Sequence, residues 1–347
     1  MEKNSSISIF KAFHIPILIF SIYLLVEIGF RIYFFGMHTV FNWKKYNPQG
    51  ILVTDIAHKV DDPNISWKLT PNINKYFKTK MFTTNSLGFR NPEVKLNKQI
   101  GITRIAVLGR SVTMGSGVND DEVYTRVLQK KLDEWKPDAY EIINCAVGGY
   151  NIKQMAEFYE SYVSPLKPDL VFLPIGKIDL TKIILDRPLP LEAAIPGHTN
   201  LRYYLSFSFI YESARLLAKR IMNKTISTDW KDRLRETMDL AEPTIKASVI
   251  LSRFLNKLNE DEIPCYVYTA RRSYKINKEY LELSRNQMKN WVQQHKGAEF
   301  FNNDDYIIEK IPNYHAIYFG DNHPSAEMHR LMAYALFNNM KYRFSQK

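Results

Sequence analysis

Arg104-Ile105-Ala106-Val107-Leu108-Gly109-Arg110-Ser111-Val112-Thr113-Met114-Gly115 is the stretch from which the rest of the chain can be read. Arg104 to Leu108 is a short apolar run of the kind that forms a buried strand in a parallel sheet, and Tyr124 to Trp135 follows with helical spacing. Ser111 therefore falls on a strand-to-helix loop, at the carboxyl end of a strand, where open α/β sheets place their ligands. A serine hydroxyl is a weak nucleophile unless a histidine takes its proton and a carboxylate fixes the imidazole tautomer. Far downstream, Asp321-Asn322-His323-Pro324 supplies both groups.

Four further strands are expected. Glu141 to Ile143 leads into Asn144-Cys145-Ala146-Val147-Gly148-Gly149-Tyr150-Asn151, and Asp169 to Ile175 ends at Gly176. Cys265 to Thr269 follows a helix over Ile245–Leu258, and a short fifth strand lies near Phe300-Phe301-Asn302. Helices over Lys278–His295 and Ala326–Phe344 complete an alternating α/β pattern. The order of these pieces resembles the SGNH/GDSL hydrolase family, over roughly residues 65–90 and 102–340. The resemblance implies a three-layer flavodoxin-like fold with a central parallel sheet. It also implies Ser111 as nucleophile, the backbone amides of Ser111 and Gly149 as oxyanion donors, and Asp321 with His323 completing the triad. Pro71 through Asn85-Ser86-Leu87-Gly88-Phe89-Arg90-Asn91-Pro92-Glu93 resembles the lead-in of membrane-anchored bacterial members.

The chain departs from that pattern twice. Gly-Asp-Ser has become Gly109-Arg110-Ser111, which puts a permanent cation beside the nucleophile, where it serves an anionic substrate group, a developing oxyanion or an ion pair with Asp179. Gly-x-Asn-Asp has become Gly176-Lys177-Ile178-Asp179, and an isoleucine side chain cannot donate a hydrogen bond. Loss of one oxyanion donor costs ~10²–10³ in rate, unless a cation such as Lys177 or Arg110 substitutes. Both are therefore candidate substrate-binding residues. His329, six residues beyond His323, reads as a packing or surface residue of the last helix.

Composition narrows the partners. With 347 residues and 45% hydrophobic content the chain can bury a full α/β core. Its net charge of +11 suits anionic surfaces such as lipid headgroups, while no helix-turn-helix, zinc-finger or aromatic RNA-binding signature points to nucleic acid. Cys145 and Cys265 have neither metal-ligand spacing nor a paired framework, and no metal or other cofactor is expected.

Ala12 through Phe35 is the most apolar stretch; as a helix it is ~36 Å long, enough to span a bilayer with tilt. Glu27 and Arg31 interrupt it at the i,i+4 spacing that lets them pair, and Arg31 lies close enough to the end to snorkel. The bulky, charged Glu27-Ile28-Gly29-Phe30-Arg31 that follows the uncharged part is unlike a signal-peptide cleavage site, which favours an uncleaved, single-pass anchor. Lysines and arginines on both sides leave orientation open; family resemblance implies an extracytoplasmic domain.

The expected organisation is an anchor over 1–36, a connector and lead-in hairpin over 37–99, and an SGNH-like domain over 100–347 with a helical insertion at about 180–243. The functional expectation is a serine esterase or O-acyltransferase acting on a small, acetyl-type ester of a cell-envelope glycan or lipid. The alternative is a catalytically degenerate member that binds glycan or partners a membrane O-acyltransferase. Carbonate and high-salt washing of membranes test the anchor: the full chain stays in the pellet, whereas a chain beginning at Trp43 is soluble. Attachment through charge alone would be released by salt.

Overall fold

A computed structural model of the protein describes residues 3–41, 56–78, 80–175, 205, 208, 210–211, 214, 241–269, 278–310 and 323–345. The chain forms two compact units, Met1–Ile51 with Pro196–Arg233, and Leu52–Ile195 with Leu234–Lys347.

In the first unit, helix α1 spans Lys3–Phe35, and His14–Tyr33 within it is long and apolar enough to cross a membrane, with a mean hydropathy of 2.0. Its apolar side chains are largely exposed, Leu18, Phe20 and Leu25 among them, whereas Glu27 and Arg31 are buried. The expected ion pair is made, Arg31 Nε to Glu27 Oε1 at 3.0 Å. Arg31 does not snorkel, because Glu27 holds it inside. The other oxygen of Glu27 accepts hydrogen bonds from Ser208 Oγ and Ile210 N–H, each at 3.1 Å, so the carboxylate in this apolar helix is matched on both oxygens. Of the helical insertion expected at about 180–243, only residues 205, 208, 210, 211, 214 and 241–243 are among the described residues.

The second unit opens with two antiparallel ladders where the sequence suggested one hairpin. Strand β1 (Ala57–Lys59) pairs with β2 (Trp67–Leu69), and β3 (Asn74–Phe77) with β4 (Lys80–Thr83). The first turn is closed by Asp62, whose Oδ1 accepts Asn64 N–H at 2.8 Å, the local bond that makes Asp a turn residue.

Five parallel strands follow: β5 (Thr103–Val107), β6 (Tyr140–Asn144), β7 (Leu170–Ile175), β8 (Cys265–Thr269) and β9 (Ala298–Phe301). Their order is β6-β5-β7-β8-β9, so the direction of winding reverses between β5 and β7. Such a switch point opens a crevice at the carboxyl ends of the strands. Every residue of β7 and β8 is buried, as expected of parallel strands covered on both faces. The covering helices are α3 (Tyr124–Trp135), α4 (Ile152–Phe158), α5 (Ala241–Glu260), α6 (Lys278–Val292), α7 (Asp304–Lys310) and α8 (Ala326–Ser345), after a one-turn α2 at Ser111–Met114. Ile105, Val107, Phe172, Leu128, Leu132 and Leu336 belong to the core between sheet and helices.

Pro174 sits in central strand β7, where proline is normally excluded. The register explains it. Val171 N–H donates away from β5, to Pro264 O at 3.0 Å, so residues 170, 172 and 174 turn their nitrogens toward β5. The last pair with β5 is Val107↔Phe172, and Pro174 lies beyond it. Its missing N–H therefore falls where the two strands have already parted.

Two buried arginines strap the lead-in to the sheet. Arg104, on β5, binds Glu141 Oε2 at 2.6 Å and donates to the carbonyls of Leu166, Lys95 and Leu96 near the amino ends of the strands. Arg90 serves the other end. Its Nε meets Asp120 Oδ1 at 2.8 Å, while its terminal nitrogens donate to the carbonyls of Met114 (2.9 Å), Gly115 (2.5 Å), Met81 (2.9 Å) and Val118 (2.8 Å). The guanidinium also lies 4.3 Å from the ring centroid of Phe82. Arg90→Met keeps the stem but removes five hydrogen bonds, leaving Asp120 with Thr83 and the Gly115 carbonyl with Val118 N–H as their remaining donors. It is expected to cost about 3 kcal/mol, or roughly 10 °C in melting temperature, measured by thermal unfolding.

Candidate active site

Ser111 is the first residue of α2, one turn of helix begun four residues after β5 ends, at the β5/β7 switch point. The turn is made possible by Gly109 at φ 147°: a Cβ there would lie 2.3 Å from Thr113 Oγ1 and 3.0 Å from Pro174 Cγ. No side chain fits, which is why a glycine precedes the serine by two. Arg110 and Ser111 are half-buried, and Val112, Thr113 and Met114 are buried beneath them.

Below Ser111 a polar network fixes α2. Asn144, the fully buried last residue of β6, donates through Nδ2 to Thr113 O (2.8 Å) and Thr125 Oγ1 (3.1 Å) and accepts Ala146 N–H at Oδ1 (3.2 Å). The Tyr124 hydroxyl meets Thr113 Oγ1 at 3.1 Å and the Tyr268 hydroxyl at 2.7 Å. Burial drives both phenols far above their ordinary pKa, so the network is neutral at any physiological pH.

Gly149 lies on the loop after β6, and Val147 N–H donates to Gly109 O at 3.2 Å, which stitches that loop to the one carrying Ser111. Gly149 is exposed, whereas Gly148 beside it is buried. His323 is half-buried, three residues before α8 begins, and Ser325 caps that helix by accepting Met328 N–H at Oγ (3.3 Å). Asp321, Lys177, Ile178 and Asp179 lie outside the described residues, so the carboxylate of the expected triad, the third-strand motif and the partner suggested for Arg110 lie there as well. Among the described residues no cluster of His, Cys, Asp or Glu has the makings of a metal site. Cys145 and Cys265 are buried free thiols whose ionisation burial suppresses, so neither is a nucleophile.

His329 is wholly buried, the packing role of the two considered for it. Helix α3 starts at Val123 with no side-chain cap, and His329 of α8 supplies the acceptor instead: Tyr124 N–H donates to His329 Nδ1 at 3.2 Å, and the two rings stack at 5.9 Å. An Nδ1 that accepts leaves the ring proton on Nε2. This contact joins the helix that follows His323 to the tyrosine whose hydroxyl steadies α2. Sequence reading passed over the contacts of Thr113, Tyr124 and Asn144, and the capping role of His329, because partners such as Tyr268 and His329 are distant in the chain.

No family model matches the chain, and no curated protein matches it in sequence. In structure it is similar to a catalytic mutant of Axe2, an acetylxylan esterase from Geobacillus stearothermophilus, at 12% identity and a TM-score of 0.43, covering 70% of this chain and 96% of the other. It is similar to the esterase EstA from Pseudoalteromonas sp., at 12% identity and 0.43, covering 70% and 99%. A protein described as lipolytic and of the G-D-S-L family, from Desulfitobacterium hafniense, aligns at 12% identity and 0.40, covering 68% and 98%.

The His329 contact carries a pH signature. Burial, then the nearby charges of Arg90 and His323, pushes His329 from 6.5 down to about 3. A lowered histidine contributes stability above its unfolded pKa and loses it as the unfolded chain, but not the folded one, takes up the proton. Between roughly pH 6.5 and pH 3 this group alone lowers stability by up to about 1.4 kcal/mol per pH unit. His329→Asn, which keeps an acceptor but cannot titrate, is expected to flatten the acid limb by about that slope in denaturant titrations at several pH values.

Proposed function

We propose that the protein is an ester hydrolase or acyl-transfer enzyme of the SGNH type, with Ser111 as nucleophile and His323 as general base. The observation that carries this reading is the seat of Ser111: the first turn of a helix, at the carboxyl end of β5, at the point where the sheet's winding reverses. In the proposed reaction His323 takes the Ser111 proton as Oγ attacks the ester carbonyl. The amides of Ser111 and Gly149 receive the charge that develops on the carbonyl oxygen, and Asp321 holds the imidazole in its working tautomer. Collapse expels the alcohol with a proton returned from His323. Water, or an acceptor hydroxyl, then attacks the acyl-enzyme and regenerates Ser111.

The substrate we assign is a small, acetyl-type ester on a cell-envelope glycan or lipid, reached from a domain held outside the cytoplasm by α1. Arg110 and Lys177 are the cations that we assign to an anionic part of it or to the oxyanion. Ile178, in the place of a donor, favours the rival reading of a degenerate fold that binds glycan or serves a membrane O-acyltransferase.

Labelling with a fluorophosphonate probe separates the two. The enzyme reading expects one adduct, on Ser111, and its loss together with small-ester turnover in Ser111→Ala and His323→Ala proteins whose melting temperature is unchanged. A folded wild type that neither labels nor turns over esters across the pH range establishes the rival.

A further inference from the structure

The loop that carries Gly149 is contacted from outside the parallel sheet and its covering helices. Trp67, on β2 of the lead-in, is buried, and its indole Nε1–H donates to Gly148 O at 3.3 Å. The Gly148–Gly149 peptide is trans, so the Gly149 N–H points opposite to the carbonyl that Trp67 holds. Fixing one end of that peptide plane therefore fixes the direction of the other. Gly149 is exposed, and among the described residues no acceptor meets its N–H.

The indole is itself held rigidly. Its ring packs edge-to-face on Tyr150 at 5.7 Å, and the Tyr150 hydroxyl donates to the Trp67 carbonyl. Gln154 Nε2 donates to Ile65 O at 2.9 Å and ties the strand's approach to α4. Gly149 takes φ +90°, and a Cβ there would lie 3.3 Å from Trp67 Cζ2, so glycine lets the loop approach the ring this closely. Loop and strand are held against each other beside the amide assigned to the oxyanion.

We infer that Trp67 is a positioning residue that orients the Gly149 N–H toward the oxyanion through its hydrogen bond to Gly148 O. The inference rests on the proposed reaction and adds that its oxyanion hole is completed by the lead-in. A chain with isoleucine at the third-strand position relies on backbone donors, so the aim of each counts for more. A misdirected amide stabilises the transition state poorly while leaving ground-state binding alone, which lowers kcat without raising KM.

The test uses the full chain in detergent with a small chromogenic ester. Trp67→Phe removes the N–H but keeps an aromatic ring; replacing Trp67 by benzothienylalanine, with sulfur in place of the N–H, keeps the shape of the indole and decides the matter where the phenylalanine protein does not fold. The expected result is a fall in kcat of about ten- to a hundredfold, KM unchanged and melting temperature retained. Unchanged kcat in the folded sulfur analogue, or a loss carried by KM alone, overturns the role of Trp67 and leaves the serine mechanism standing. A wild type with no turnover and no Ser111 adduct overturns the mechanism, and the role of Trp67 with it.

Discussion

One buried guanidinium sets the terms for the rest of the second unit. Arg90 donates to four backbone carbonyls and one carboxylate, which accounts for every group it can offer. Two of those carbonyls, Met114 and Gly115, close the helix begun by Ser111, where the last turn has no intrahelical donors left. A third belongs to β4 and the fourth to the loop leading to α3. A buried charge without such partners is very costly, so the lead-in, the serine turn and the following loop are each required by the same side chain.

The crevice at the switch point follows from sterics as much as from topology. Gly109 admits Thr113 and Pro174 at contact distance, and Pro174 has no N–H to offer β5. The strands can part there without orphaning a donor, and the backbone that turns off β5 begins a helix at once. Beneath it the Asn144, Thr113, Tyr124 and Tyr268 contacts are neutral and hydrogen-bonded to one another, so the serine rests on a floor that does not titrate.

The first unit obeys a different solvent logic. Its helix exposes leucine, isoleucine and phenylalanine between Ile15 and Phe30, and hides Glu27 and Arg31. Glu27 spends one oxygen on Arg31 and the other on Ser208 and Ile210, so both oxygens of its carboxylate are engaged. The i,i+4 pair was readable in the sequence; the role of residues 208 and 210 was not, because they stand 181 and 183 positions away.

What the sequence determined by itself was periodic or local. Apolar runs of five or six residues alternating with helical spacing specified the parallel sheet, and Gly109 with Ser111 after such a run marked the carboxyl end of β5 as the candidate site. Where Glu27 and Arg31 would meet was also a matter of spacing. Tertiary structure decided what no window of residues contains: that a second ladder forms in the lead-in, that Arg31 stays inside, and that His329 caps a helix beginning 205 residues earlier. It decided too that Trp67 holds the peptide before Gly149 from 81 residues away. The physical reason is the same in each case. A buried donor or acceptor must be satisfied, but any element the fold brings alongside can satisfy it, so the need is written in the sequence and the partner is chosen by packing.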